Sequence, residues 1–173
     1  MHGLQTWLAL PRADEEVAPL FSHHPAATLP DLPGEGLQLK LLAGSAFGLH
    51  SPVAVYSPTL YIAGRMAAGS ELRLDNEHAE RGVYLLTGDL SIEDQPLPSS
   101  SLAVLKQGSE PILRARSDCK IAILGGAPLD GPRRLWWNFV SSRPERIEQA
   151  KSDWRAGRFA SVPGETEFIP LPE

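Results

Sequence analysis

Cysteine is nearly absent from this sequence, which has one, Cys119, in 173 residues. One cysteine cannot form an internal disulfide, so a hydrophobic core must hold the fold, and the cytoplasm is the expected compartment. Long apolar runs are also missing, because no segment approaches the roughly 20 residues of a membrane-spanning helix. The N-terminal residues lack the basic and apolar regions of a secretory signal. The sequence therefore predicts a soluble protein that does not enter a membrane.

Positive charge is in short supply as well. The chain has 16 lysines and arginines against 21 acidic residues, which gives a formal net charge of −5. The basic residues are scattered and are not gathered in one segment. Because binding to a nucleic-acid backbone depends on a basic surface, direct nucleic-acid binding is not expected.

Turn-forming residues are plentiful, with 16 prolines and 15 glycines. Between them lie short runs in which apolar and polar residues alternate, the pattern of strands with one wet face. The predicted strands are 37–41, 59–66, 71–74, 82–86, 90–92, 101–105, 112–116 and 119–124. A further strand is predicted at 4–10. This spacing, about ten residues per strand, indicates an all-β sandwich or barrel.

One helix is predicted, at 143–156. It follows the S-x-x-E string of residues 142–145, which is typical of a capping box at a helix start. Ile147, Ala150 and Trp154 then recur at helical steps, and Gly157 marks the end.

Four strings resemble segments of the pirin family. They are HGLQTWLALP at 2–11, AGSAFGLHSPVAVYSPTLY at 43–61, ILGGAPL at 123–129 and LWWNFVSSRPERIEQAKSDWRAGRF at 135–159. Together they cover nearly the whole chain in order. Pirins are bicupins, two jelly-roll barrels in tandem, and their iron is held by three histidines and a glutamate in the first barrel.

The resemblance implies an all-β cupin (jelly-roll) β-barrel with a C-terminal α-helix. Residues 1–11 would be an orphan strand from the end of the N-terminal cupin, and 12–36 the linker. Residues 37–130 would form the C-terminal cupin barrel, and 131–173 the aromatic segment, the helix and the tail. The chain would thus be a truncated pirin without its metal-bearing barrel.

The residues at the positions of the cupin metal ligands are unsuitable. Counting back from the turn at Gly88, the carboxylate position falls on Arg81, or on Glu80 with a slip of one residue. The histidine positions fall within 73–76, where there is no histidine, and the turn glycine Gly108 is followed by Ser-Glu-Pro. A facial iron site needs imidazoles and a carboxylate that converge, so we expect no metal and no other cofactor in this chain.

A displaced pair, His78 and Glu80, is the remaining metal candidate. The alternative, which we favour, is that His78 lies in a solvated turn. His23, His24 and His50 are expected in loops without a ligand role. No catalytic residue is assigned, and Cys119 is expected to be a small core residue.

The aromatic residues Trp136, Trp137 and Phe139 are candidates for an interface, together with Leu4 and Trp7 of the orphan strand. Two alternatives stay open for the aromatic cluster: it faces a missing partner, or it packs under the C-terminal helix.

The expected function is that of a non-catalytic structural or interaction domain. Its partner would be the missing N-terminal cupin half, or a second copy in which residues 4–10 of two chains pair. The alternative is an iron-dependent enzyme similar to quercetin 2,3-dioxygenase, as the resemblance implies for full-length pirins.

Overall fold

The computed structural model describes residues 3–172 and contains mostly β-structure. The strands are β1 Leu37–Ala46, β2 Leu49–His50, β3 Thr59–Met66, β4 Glu71–Arg73, β5 Glu80–Thr87, β6 Leu90–Ile92, β7 Gln95–Leu97, β8 Ser101–Val104, β9 Ile112–Ala115, β10 Cys119–Gly126, β11 Arg134–Trp136 and β12 Phe139–Ser141. One α-helix, α1, spans Pro144–Arg155, and two short 3-10 helices span Arg12–Asp14 and Ala26–Thr28. The chain divides into two compact units, one of Ala18–Pro128 and one of residues 3–17 with 129–172.

The unit Ala18–Pro128 is a sandwich of two antiparallel sheets. Six strands lie in the order β2-β1-β3-β10-β5-β8, and four lie in the order β4-β9-β6-β7. The alternation in the sequence sends every second side chain of each strand into one core. Its fully buried members come from both sheets: Leu39, Leu41, Ile62, Met66, Val83, Leu85, Leu90, Leu113, Ile121 and Ile123. This confirms the predicted all-β jelly-roll class, and all eight strands predicted between 37 and 124 are present.

Close approach between β1 and β3 requires a glycine. The register of this pair shifts between Leu41 and Ala43, and Gly44 follows with a φ of 80°. A Cβ at Gly44 would lie 1.7 Å from the carbonyl oxygen of Thr59, so no other residue fits without movement of the backbone.

The second unit combines the ends of the chain. Strands β11 and β12 form a hairpin, and α1 follows it, close to the predicted bounds of 143–156. The predicted capping box is wrong, because Arg143 is the N-cap residue and no side chain caps the helix. Ser142 instead donates its hydroxyl to Glu15 over 2.8 Å. Pro144 at the first turn lacks the N–H that a cap would satisfy.

The predicted strand at 4–10 is wrong for the described part of the chain. Residues 3–11 belong to no strand or helix, because none of the ladders found among residues 3–172 includes them. Met1 and His2 of the predicted orphan strand, and Glu173 of the tail, lie outside the described residues. No helix within that range is long and apolar enough to cross a membrane.

Candidate functional site

A buried arginine occupies the core face of β5. Arg81, Val83 and Leu85 alternate along this strand, and all three side chains are buried. Because residues two apart on a strand point to the same side, the Arg81 side chain enters the sandwich beside the apolar core. Arginine is rarely buried without compensating partners, so its surroundings define the site.

Three backbone carbonyls receive the Arg81 guanidinium. Nη1 donates to the carbonyl oxygen of Asp75, and Nη2 donates to those of Ser109, at 2.7 Å, and Lys106, at 3.3 Å. Nε has no hydrogen-bond partner in the described part of the chain. The guanidinium therefore holds two loops, the one before β5 and the one between β8 and β9, at one end of the sandwich.

Neighbouring contacts bring a third loop to the same place. The Asp75 carboxylate accepts the backbone N–H of Phe47 at 3.2 Å, and the ring of His78 lies with Nε2 2.8 Å from the carbonyl oxygen of Ser45. A carbonyl can only accept, so Nε2 carries a proton and donates it. The end of β1 with the turn at Phe47 and the loops around residues 75 and 108 are thus joined by hydrogen bonds near Arg81.

The two predicted metal candidates, His78 and Glu80, differ in their exposure to solvent. His78 is buried, so its interpretation as a residue of a solvated turn is wrong. Glu80 is exposed at the start of β5, and its neighbour Arg81 points to the opposite side. Among residues 3–172 no three His, Cys, Asp or Glu side chains are grouped closely enough to hold a metal ion.

The residues at the interior position do not fit an iron ion of the kind that the resemblance implies for a first barrel. Arg81, at the interior position on β5, is positively charged and has no lone pair to give a metal, and Glu80, the alternative position for the carboxylate, is exposed. His78 already uses one ring nitrogen in a hydrogen bond to a carbonyl.

Cys119 is a core residue, as predicted. It is only 2% exposed and belongs to the apolar cluster. Burial raises the pKa of its thiol, and the charges of Asp118 and Asp89 raise this pKa further. A thiol of this kind stays protonated at neutral pH and is a poor nucleophile.

The predicted interface residues fall into two groups. Trp137 and Phe139 contact Trp154 of α1, with ring centroids 5.1 and 6.3 Å apart, which matches the alternative in which the cluster packs on the helix. Trp136 lies under the ammonium group of Lys151. Leu4 and Trp7, by contrast, are 44% and 48% exposed.

Sequence reasoning missed a buried ion pair in the second unit. Arg133 Nε lies 2.5 Å from Glu15 Oε1, and their side chains are 6% and 9% exposed. Burial by itself would raise the pKa of Glu15, but hydrogen bonds from Ser142 and the charge of Arg133 outweigh it and hold this pKa below its ordinary value. The partners are too far apart in sequence for any local pattern to connect them.

Comparison with known proteins decides the family. A family model described as the Pirin C-terminal cupin domain matches residues 61–160, more than half of the chain. The chain belongs to the pirin family. This pirin-family chain is 43% identical to a "Pirin-like protein" of Caulobacter vibrioides, covering all of this chain and 60% of that protein. It is 27% identical to "Pirin" of Mus musculus, covering 89% of this chain and 56% of that protein.

A solved structure confirms the fold. The crystal structure titled quercetin 2,3-dioxygenase from Acinetobacter baumannii superimposes with a TM-score of 0.86 at 26% identity, covering 96% of this chain and 57% of that one. The pirin-family chain thus spans little more than half the length of the relatives that it matches, and it matches their C-terminal half.

Proposed function

We propose that this pirin-type cupin domain is a non-catalytic structural or interaction domain that acts in the cytoplasm and holds no metal cofactor of its own. The observation that carries the proposal is the guanidinium of Arg81, which is bound to three carbonyls inside the sandwich. At an effective dielectric constant of about 20, unit charges 4 Å apart interact by about 4 kcal/mol, so a divalent ion beside Arg81 is opposed by roughly twice that energy.

Metal analysis after iron loading tests this proposal. The purified chain is incubated with Fe²⁺ without oxygen, desalted and analysed for iron. We expect less than about 0.1 iron per chain, because a metal ion stays bound through desalting only where a complete set of ligands holds it tightly. The variant His78→Ala should bind the same trace amount as His50→Ala, which changes an exposed histidine at the end of β2. Stoichiometric iron that is lost only in His78→Ala would contradict the proposal.

The partner that we propose is an N-terminal cupin half, corresponding to the part of the relatives that this chain does not match. Leu4 and Trp7 support this, since both are exposed in a segment without strand partners. Beside this segment lies a cavity of about 340 Å³ that Val140 also lines. Exposed aromatic and aliphatic side chains next to a groove are typical of binding surfaces.

Light scattering coupled to size exclusion tests the partner proposal. An N-terminal cupin half from a longer relative is mixed with this chain, and a one-to-one complex is expected. Trp7→Gln should weaken it at least tenfold, whereas Leu20→Gln, which changes an exposed residue outside the cavity lining, should not. Formation of a homodimer by the chain alone, lost in Trp7→Gln, would favour the alternative in which a second copy is the partner.

The alternative function is a quercetin 2,3-dioxygenase-like activity in this chain alone. The Acinetobacter baumannii structure favours it, because that protein is named a quercetin 2,3-dioxygenase and the folds agree closely. Quercetin absorbance followed in the presence of Fe²⁺ and oxygen separates the two functions. The main proposal expects no consumption above the rate without protein, while turnover that His78→Ala abolishes would establish the alternative.

A further inference from the structure

Four hydrogen-bonding side chains form a row across the outer face of the six-stranded sheet. The register places Gln38 opposite Arg65, Arg65 opposite Lys120, and Lys120 opposite Thr87. All four are exposed. Since neighbouring strands lie about 4.8 Å apart, the row spans about 14 Å across β1, β3, β10 and β5.

The two central members carry the same charge. Arg65 and Lys120 lie directly opposite each other on neighbouring strands. Two like charges in this position destabilise a sheet by roughly 0.2–1 kcal/mol. None of the ion pairs found within residues 3–172 includes either of them. Lys40, two residues beyond Gln38 on β1, does have a carboxylate partner, Asp31 at 2.7 Å. The fold thus neutralises one cation of this region and leaves an adjacent pair uncompensated.

The row borders a cavity of about 410 Å³ at the end of the sheet. Its lining includes all four row residues and one carboxylate, Asp118. Asp118 Oδ1 accepts the backbone N–H of Ala68 at 2.9 Å, which ties this carboxylate to the turn after β3. Two cations and one anion leave the lining with a net positive charge, although the whole chain is negative.

We propose that this donor row binds the phosphate group of a small soluble phosphate or phosphate ester. The planar guanidinium of Arg65 can donate two parallel hydrogen bonds to phosphate oxygens, and the ammonium of Lys120 supplies a second charge beside it. The Gln38 amide and the Thr87 hydroxyl stand on either side as neutral donors. A bound dianion would remove the repulsion between Arg65 and Lys120. The site lies apart from Arg81 and does not depend on the proposed function.

Titration with inorganic phosphate tests the site on the full chain. Amide chemical shifts are followed in ¹H–¹⁵N spectra as sodium phosphate replaces sodium chloride at constant ionic strength. We expect saturable shifts at Arg65, Lys120 and Thr87. In Lys120→Glu the binding should weaken at least tenfold, while the new cross-strand pair with Arg65 keeps the sheet folded. Lys106→Gln and Arg116→Gln remove exposed positive charges outside the cavity lining and should leave binding unchanged.

The outcomes separate the sources of the phosphate. Glycerol phosphate that binds at the same residues, as tightly as inorganic phosphate or more tightly, supports a small phosphorylated solute. Binding only to vesicles that contain phosphatidic acid overturns the proposal of a soluble ligand. Shifts that chloride reproduces, or that survive in Lys120→Glu, overturn the site itself.

Discussion

Arg81 shows how far a single residue can be understood from sequence. Counting back from Gly88 puts the cupin carboxylate position on Arg81, or on Glu80 with a slip of one residue, and the first placement removes a metal ligand. The sequence does not predict its burial or its three carbonyl partners, which lie 6, 25 and 28 residues away. The same holds for His78: its acidic neighbours suggest solvent, whereas its ring is buried and contacts Ser45 of β1, 33 residues away. Local patterns report the type of a residue, and tertiary contacts decide its environment.

Removal of the Arg81 guanidinium should destabilise the protein strongly. Arg81→Ala leaves the carbonyls of Asp75 and Ser109 without their donor, whereas the Lys106 carbonyl still accepts from the backbone N–H and the hydroxyl of Ser109. Each buried group left unsatisfied costs about 1–3 kcal/mol, so we expect a loss of at least about 2 kcal/mol in the free energy of unfolding, measured by urea denaturation. The control is Arg73→Ala, an exposed arginine on β4 with one long contact to a carbonyl, which should cost less than about 0.5 kcal/mol. Equal losses in the two variants would show that the carbonyl contacts of Arg81 contribute nothing.

Glu15 should make stability depend on acidity. Its pKa is lowered in the folded protein, so its contribution is fully present above the ordinary glutamate value of 4.5 and is lost as pH falls through the lowered folded value. Between these two pKa values the wild-type chain should therefore lose stability more steeply on acidification than Glu15→Gln. Thermal unfolding followed by tryptophan fluorescence from pH 7 to pH 3 measures this. Glu35→Gln, which changes an exposed carboxylate, should follow the wild type.

At the scale of elements, the sequence predicts those strands in which apolar and polar residues alternate. Long strands such as β3 and β10 were found because each has several residues of period-2 pattern that face one core. Strands β2, β7, β11 and β12 have only two or three residues each, too few to show a period, and Pro96 lies inside β7. Strands β4 and β6 are equally short, but the turn glycines Gly69 and Gly88 mark where they begin, so the sequence predicts both. The predicted start of the helix is close to the observed one, but the predicted reason is wrong. Ser142 donates its hydroxyl to Glu15, which is 127 residues away, and does not cap the helix.

Alanine substitutions at two glycines with similar backbone angles distinguish the cost of a left-handed backbone conformation from the cost of a steric clash. Gly44 and Gly48 have φ values of 80° and 73°, but a Cβ at Gly48 would meet nothing within 4 Å. Gly48→Ala should therefore cost only about 1 kcal/mol for a left-handed alanine. Gly44→Ala should cost at least about 2 kcal/mol more, because β1 and β3 must separate. Urea denaturation followed by circular dichroism measures both, and equal costs would contradict the close approach to Thr59.

At the scale of the whole molecule, the tryptophans and the tyrosines divide by unit. All four tryptophans, Trp7, Trp136, Trp137 and Trp154, belong to the unit of residues 3–17 and 129–172. All three tyrosines, Tyr56, Tyr61 and Tyr84, belong to Ala18–Pro128. Tryptophan fluorescence thus reports on the unit of residues 3–17 and 129–172, whereas the buried apolar cluster lies wholly in the tyrosine-bearing unit.

The fragment 18–128 should fold on its own, since it contains every member of that cluster and both sheets of the sandwich. The fragment 37–130, cut at the boundary that the sequence suggested, removes Leu32, which is 4% exposed in the core. It also removes the contacts of Leu32 N–H with Leu39 and of the Pro30 carbonyl with Leu41. Burial of a leucine is worth about 1.5–3 kcal/mol, so 37–130 should unfold at a clearly lower temperature by circular dichroism. If both fragments unfold at the same temperature, residues 18–36 contribute nothing to the stability of the sandwich, and the sequence-based boundary is the better one.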